Sequence, residues 1–215
     1  MKSPALRFAV AALLLSGVPS TVAANTYWYI GLGTGLGWVQ FYPADFSSGG
    51  TYTDKKEEFD AGFKGFIGYQ ISRNWAFEAS VNTVGKFHYK YDNGSVTQDG
   101  IYKVKGLGLS FVPTIPLTRN FSLYGRLGGF SSQTRLTLHN ENFVVGASSR
   151  GRQANQFSPL TGFGAQYFFA EESAVRVEFE NFGQVGSACT TSVPPGSCTG
   201  RANAKMISGS LVFPF

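Results

Sequence analysis

After its first two dozen residues, this chain of 215 residues has no stretch of 18 consecutive apolar residues. That excludes a helical membrane span, which needs about 20. Charge is scarce, at 14% of residues. Histidine is limited to His88 and His139, and cysteine to Cys189 and Cys198. No histidine or acid lies between the two cysteines, so a metal site there lacks ligands. There is no glycine-rich phosphate cradle. No cofactor is expected, and no resident metal.

The first segment, residues 1–24, has Lys2 and Arg7, an apolar run from Phe8 to Leu15, and small residues ending Val22-Ala23-Ala24. This order marks a secretory signal peptide, cut after Ala24, and export. The net charge of +5 then falls by two to +3, too small to argue for nucleic acid.

What is abundant is glycine and aromatic residues: 27 Gly, 20 Phe and 10 Tyr. Mean hydropathy is −0.05, which suits alternating strands. Eight runs alternate with period 2. They are Tyr27–Trp38, Ala61–Ile71, Trp75–Phe87, Ile101–Val112, Asn120–Leu136, Phe157–Phe168, Ala174–Phe182 and Ala204–Phe215. In the first, Trp28, Ile30, Leu32 and Leu36 oppose Gly31, Gly33, Gly35 and Gly37. In the last, Ile207, Leu211, Phe213 and Phe215 share one face, and an aromatic ends the chain.

Connections alternate in length. Ser72–Asn74, Pro113–Thr118 and Phe169–Ser173 are short, while Val39–Asp60, His88–Gly100, Thr137–Gln156 and Gly183–Asn203 are long and polar. The pattern predicts an all-β fold over residues 25–215. It is an eight-stranded antiparallel transmembrane barrel with short periplasmic turns and long extracellular loops, in a bacterial outer membrane. A soluble barrel would point its large apolar residues inward. Here the polar face carries Lys64, Glu78, Arg126, Arg176, Glu178 and Glu180 among many glycines. Such a face suits a narrow lumen where charges pair.

Gly62-Phe63-Lys64, Gly68-Tyr69-Gln70 and Phe77-Glu78 resemble the second and third strands of the OmpA-type barrel family. Leu123-Tyr124-Gly125-Arg126-Leu127-Gly128-Gly129 resembles its fifth. Ser158-Pro159, Gly162, Gly164 and Tyr167, with Arg176-Val177-Glu178-Phe179, resemble its sixth and seventh. The resemblance implies an integral outer-membrane protein with structural or surface-interaction roles. Its peptidoglycan-binding domain has no counterpart in this sequence. It also implies an interior gate of paired Glu, Lys and Arg, with Glu78 and Arg176 at two gate positions. Val112 stands where the gate lysine is expected, and Gln166 where a second carboxylate is. Leu211, Phe213 and Phe215 resemble the ending that the outer-membrane assembly machinery reads.

The interior cluster has two readings. In one, Glu78, Arg126, Arg176 and Glu178 form a hydrogen-bonded plug, since an unpaired buried charge costs several kcal/mol. In the other, the cluster opens as a small low-conductance pore. An enzyme acting on lipid A would need a His–Ser pair with an orienting carboxylate. Neither His88 nor His139 has a serine two residues later, so the chain is read as a non-enzyme.

Cys189 and Cys198 flank Pro194-Pro195-Gly196 in the fourth long loop. An exported chain crosses an oxidising compartment, so a loop disulfide is expected. A thiol titration of denatured, unreduced protein should find no free thiol; two would refute the bridge. Trp28, Trp38, Trp75, Tyr69, Tyr167 and Phe215 read as interface anchors. Tyr42, Phe46, Tyr52, Phe87, Tyr89 and Tyr91 read as rim residues. Expected partners are outer-membrane lipid and lipopolysaccharide, with Lys55-Lys56 placed to meet its phosphates. The assembly machinery and a surface ligand met through the long loops complete the set.

Overall fold

The computed structural model describes residues 26–42, 59–92, 97–138, 151–169, 173–188 and 199–215. They form β1 (Tyr27–Phe41), β2 (Phe59–Ser72), β3 (Trp75–Asp92), β4 (Thr97–Pro116), β5 (Phe121–Leu138), β6 (Arg152–Phe168), β7 (Ala174–Ser187) and β8 (Gly200–Pro214). Each strand pairs antiparallel with its neighbour in sequence, and β8 returns to β1 to close a barrel. Residues 1–25, Cys189, Cys198, His139 and Lys55-Lys56 lie outside the described residues.

Alternation sets the two faces. Leu32 is 72% exposed and Leu109 70% exposed, on the outer surface. In water such a belt would drive aggregation; in hydrocarbon it is the solvated face. Outward residues also pair across strands, with Leu36 opposite Ile207 and Leu32 opposite Leu211. Aromatic rings gather near both ends of the belt. Trp28 lies 4.9 Å from Tyr69, and Trp75 stacks on Phe111 at 5.0 Å. At the opposite end Trp38 meets Phe59 at 6.0 Å.

Strands run further than the alternation predicts, chiefly toward the long-loop end. The segment His88–Gly100 is not a long loop. Its flanks pair from His88↔Ile101 to Asp92↔Thr97, leaving residues 93–96 as the connection. The region after Gly183 is likewise strand to Ser187, and β8 starts at Gly200. These extensions stand above the lipid belt, where outward residues are polar and the apolar signal fades.

Three register shifts occur among the described residues; the one between Gln70 and Ser72 sits at the β2–β3 turn, and the other two are bulges that shift the side-chain parity within strands. One lies between Thr83 and Gly85, the other between Asn181 and Gln184. An extra residue in one strand flips every later side chain to the other face. Phe87 is therefore 0% exposed inside the barrel, not at the rim. Gly183 makes the second bulge feasible. Its φ of +67° is one that a residue with a Cβ rarely adopts, and an added Cβ would lie 2.9 Å from the Pro159 carbonyl.

The side chains that point into the lumen fall into three layers. Nearest the short turns, Tyr29, Phe66, Tyr124, Val112 and Val212 pack together. Six charged side chains lie above them. Toward the long-loop end, Phe87, Tyr102, Val104, Phe130, Leu160, Phe182 and Met206 belong to a larger apolar cluster. Eight strands leave an interior that side chains can fill.

Candidate functional site

Lys64 from β2, Glu78 from β3, Arg126 from β5 and Arg176, Glu178 and Glu180 from β7 all point into the middle layer. They do so because each sits on the inward parity of its strand, facing glycine or serine. Glu78 pairs with Gly68 and Ser110, Arg126 with Gly162, and Glu178 with Gly164 and Ser208. Small partners leave room for the long side chains. Gly68 shows how tight this is, because the ring of Tyr29 fills the space a Cβ would take.

The ion pairs form one connected set. Arg126 Nη2 lies 2.5 Å from Glu78 Oε2 and 3.1 Å from Glu178 Oε2. Its Nε is 3.3 Å from Glu180 Oε1. Arg176 Nη1 is 2.5 Å from Glu78 Oε1. Lys64 pairs with Glu178 and lies 2.9 Å from Glu180 Oε1. Three cations thus meet three carboxylates, and the layer is neutral. Guanidinium groups suit this role because a planar five-donor fork bridges two carboxylates at once.

Neutral groups complete the shell. Tyr29 donates its hydroxyl to Glu78 Oε1 at 2.7 Å, and Tyr124 donates to Glu178 Oε2 at 3.1 Å. Arg126 Nη1 donates to Ser110 at 2.8 Å. The Arg176 guanidinium also lies about 5 Å from the ring centroids of Tyr29, Phe66 and Tyr124, within cation–π range. Glu180 is the least well held, since its Oε2 has no hydrogen-bond partner among the described residues.

Sequence reasoning did not name Tyr29, Tyr124 and Ser110 as members of this set. Their signal was present, because each lies on the inward parity beside a charge. The rim residues divide: Tyr42 is 41% exposed under the Arg201 guanidinium at 5.5 Å, while Phe87 is core. Tyr89 and Tyr91 belong to β3, so the rim position is strand there. Phe46 and Tyr52 lie outside the described residues. His88 is exposed on the outer face opposite Ile101. Leu211, Phe213 and Phe215 face outward along the β8–β1 seam.

The OmpA-like transmembrane domain matches residues 23–215. The chain belongs to that family. It is 29% identical over 195 residues to outer membrane protein A of Escherichia fergusonii, and 30% over 199 to that of Salmonella typhi. Each match covers 91% of this chain and 52% of the relative, so the chain spans about half the length of these relatives. Among solved folds, AlkL in lipid bilayers gives a TM-score of 0.51 at 15% identity, covering 93% of this chain and 96% of that one. Neisserial surface protein A gives 0.50 at 12%, covering 87% and 97%. Both are likenesses of fold. This OmpA-like barrel is a protein of the bacterial outer membrane, in contact with its lipid.

Val112 and Gln166 are the two positions where the resemblance implied a gate lysine and a second carboxylate. Val112 is buried in the lower layer, where it packs instead of pairing. Gln166 accepts a bond from Arg176 Nε at 3.0 Å, so an amide oxygen stands in for a carboxylate.

Proposed function

We propose that this OmpA-like barrel is a closed one, plugged by its charged layer. Its role is structural support of the outer membrane and surface interaction through its extracellular loops. It is not an enzyme. The observation that supports this reading is the stacking of inward side chains: a paired charged layer with a largely apolar layer above it. Charge pairing offsets the cost of burying the six charges, and the largely apolar layer above gives passing ions little to replace their water. We further propose that residues 1–24 are a signal peptide and that Cys189 and Cys198 form a loop disulfide. Leu211, Phe213 and Phe215 are proposed as the signal for the assembly machinery.

The second reading is a small low-conductance pore. Sharing favours it: Lys64 and Arg126 both reach Glu178 and Glu180, so partners can be exchanged. The apolar layer above weighs against it. The test is single-channel recording on residues 25–215 refolded into a planar bilayer. A closed barrel leaves the membrane silent while correctly folded protein is present. Discrete conductance steps would establish the pore instead.

A further inference from the structure

On the outer surface of β3, β4 and β5, side chains lie in rows set by the register. Val81 faces Leu107, which faces Ser131, at the upper limit of the apolar belt. One row further toward the long-loop end, Thr83 faces Lys105, which faces Gln133. In the next row Lys86 faces Lys103, and Lys103 faces Arg135. All four cations are exposed.

The placement is not a by-product of alternation. Without the bulge between Thr83 and Gly85, residue 85 would stand outward opposite Lys103 and Lys86 would point into the lumen. The bulge brings Lys86 out beside two other cations. Its cost is plain, since like charges directly opposite on neighbouring strands repel. Across β6 the row ends in Gln153, which faces Arg135 and cannot neutralise it. Among the described residues, the nearby carboxylate is Asp60 on β2, which accepts the Lys86 backbone N–H at 2.5 Å. Among the described residues, none of the four cations forms an ion pair.

Strands lie about 4.8 Å apart, so three cations span about 10 Å, and Lys105 stands about 7 Å along β4 from Lys103. The height fixes the ligand. These side chains start where the hydrocarbon-facing residues end, at the headgroups of the outer leaflet. There the outer leaflet's glycolipid carries phosphates on the sugars directly above its acyl chains. Arg and Lys are the side chains that bind such groups. We propose that Lys86, Lys103, Lys105 and Arg135 form a site for the phosphates of lipopolysaccharide on the β3–β5 face. The rows of Val81 and Leu107 below lie against its acyl chains. This goes beyond general lipid contact, because it gives the barrel one preferred face for the glycolipid, independent of whether the lumen conducts.

Native mass spectrometry of the refolded barrel in detergent, titrated with bisphosphorylated lipid A, tests this. The wild type should retain lipid A, and Lys103→Gln/Arg135→Gln should lower apparent affinity at least tenfold. Arg73→Gln/Arg119→Gln removes the same charge at the periplasmic turns and should leave binding unchanged. Lipid A stripped of phosphate should bind wild type and variant equally weakly. Equal retention of stripped and phosphorylated lipid A would overturn the site in favour of acyl contact alone. An equal loss in the periplasmic pair would reduce it to net charge. Retention of a lipid-free sugar phosphate as tight as that of lipid A would make the ligand a soluble anion and overturn the lipid assignment. All four substitutions are of exposed side chains, which seldom move stability by more than about 0.5 kcal/mol.

Discussion

Glu78→Ala should lower the unfolding free energy of this barrel by about 3–5 kcal/mol. Glu78 is fully enclosed and is the acceptor for Arg126, Arg176 and the Tyr29 hydroxyl. Its removal leaves two guanidinium groups in the lumen without that carboxylate. Arg126 retains Glu178 and Glu180, but Arg176 keeps only the Gln166 amide and three ring faces. Leu109→Ala is the comparison. That side chain faces lipid, which fills the gap it leaves, so the loss is the transfer term of three carbons, about 2 kcal/mol. Urea titration of both variants refolded in lipid vesicles separates the two. Equal losses would mean that water or alternative partners compensate for the missing carboxylate, and the charged layer would not be a structural plug.

Conductance should appear only when both upper layers are breached. The variants for this are Glu78→Ala in the charged layer and Phe130→Ala/Phe182→Ala in the apolar one. The two rings are fully buried and their centroids lie 4.6 Å apart. Removing them opens room for several waters, each of which needs about 30 Å³. Glu78→Ala alone should stay silent, because an apolar constriction above still excludes water. The phenylalanine pair alone should stay silent, because the ion pairs below remain closed. The triple variant should conduct. Each Phe→Ala costs roughly 3–5 kcal/mol, so folding is checked first by gel mobility and far-UV circular dichroism. Conduction by Glu78→Ala alone would show that the apolar layer is no barrier. A silent but folded triple variant would show that the lower aromatic layer closes the lumen by itself.

Both expectations depend on knowing which residues face inward, and much of that can be read from the chain. Period-2 alternation located all eight strands and put Lys64, Glu78, Arg126, Arg176, Glu178 and Glu180 on inward positions, where they are buried. It works because a membrane barrel has only two environments and every strand crosses both. It weakens where the strand leaves the lipid, since outward polar residues such as Gln133 and Asn155 no longer contrast with inward ones. Hence β3 and β4 run on past the predicted ends. It fails at bulges, which are set by backbone geometry across two strands. The shift at Gly85 sent Phe87 inward and Lys86 outward. Tyr29 and Tyr124 were missed for another reason. Inward parity points their rings into the lumen, but a tyrosine's letter does not name the carboxylate its hydroxyl reaches; the three-dimensional neighbour does.

Seven of the eight strand interfaces join segments adjacent in sequence, and each can form as a local hairpin. The eighth joins Tyr29 to Pro214, and the Phe215 N–H donates to the Trp28 carbonyl at 2.9 Å. Until that last interface zips, β1 and β8 both present a row of bare amides and carbonyls. In hydrocarbon each unmade bond costs several kcal/mol, so a half-inserted open sheet is a state of very high energy. Insertion and ring closure must therefore happen together, over a single large barrier. The same barrier stands in the way of the reverse process, because a ring has no end from which to fray. Persistence in the membrane is thus a matter of rate: the barrel endures because the first broken contact gives nothing for the second to follow.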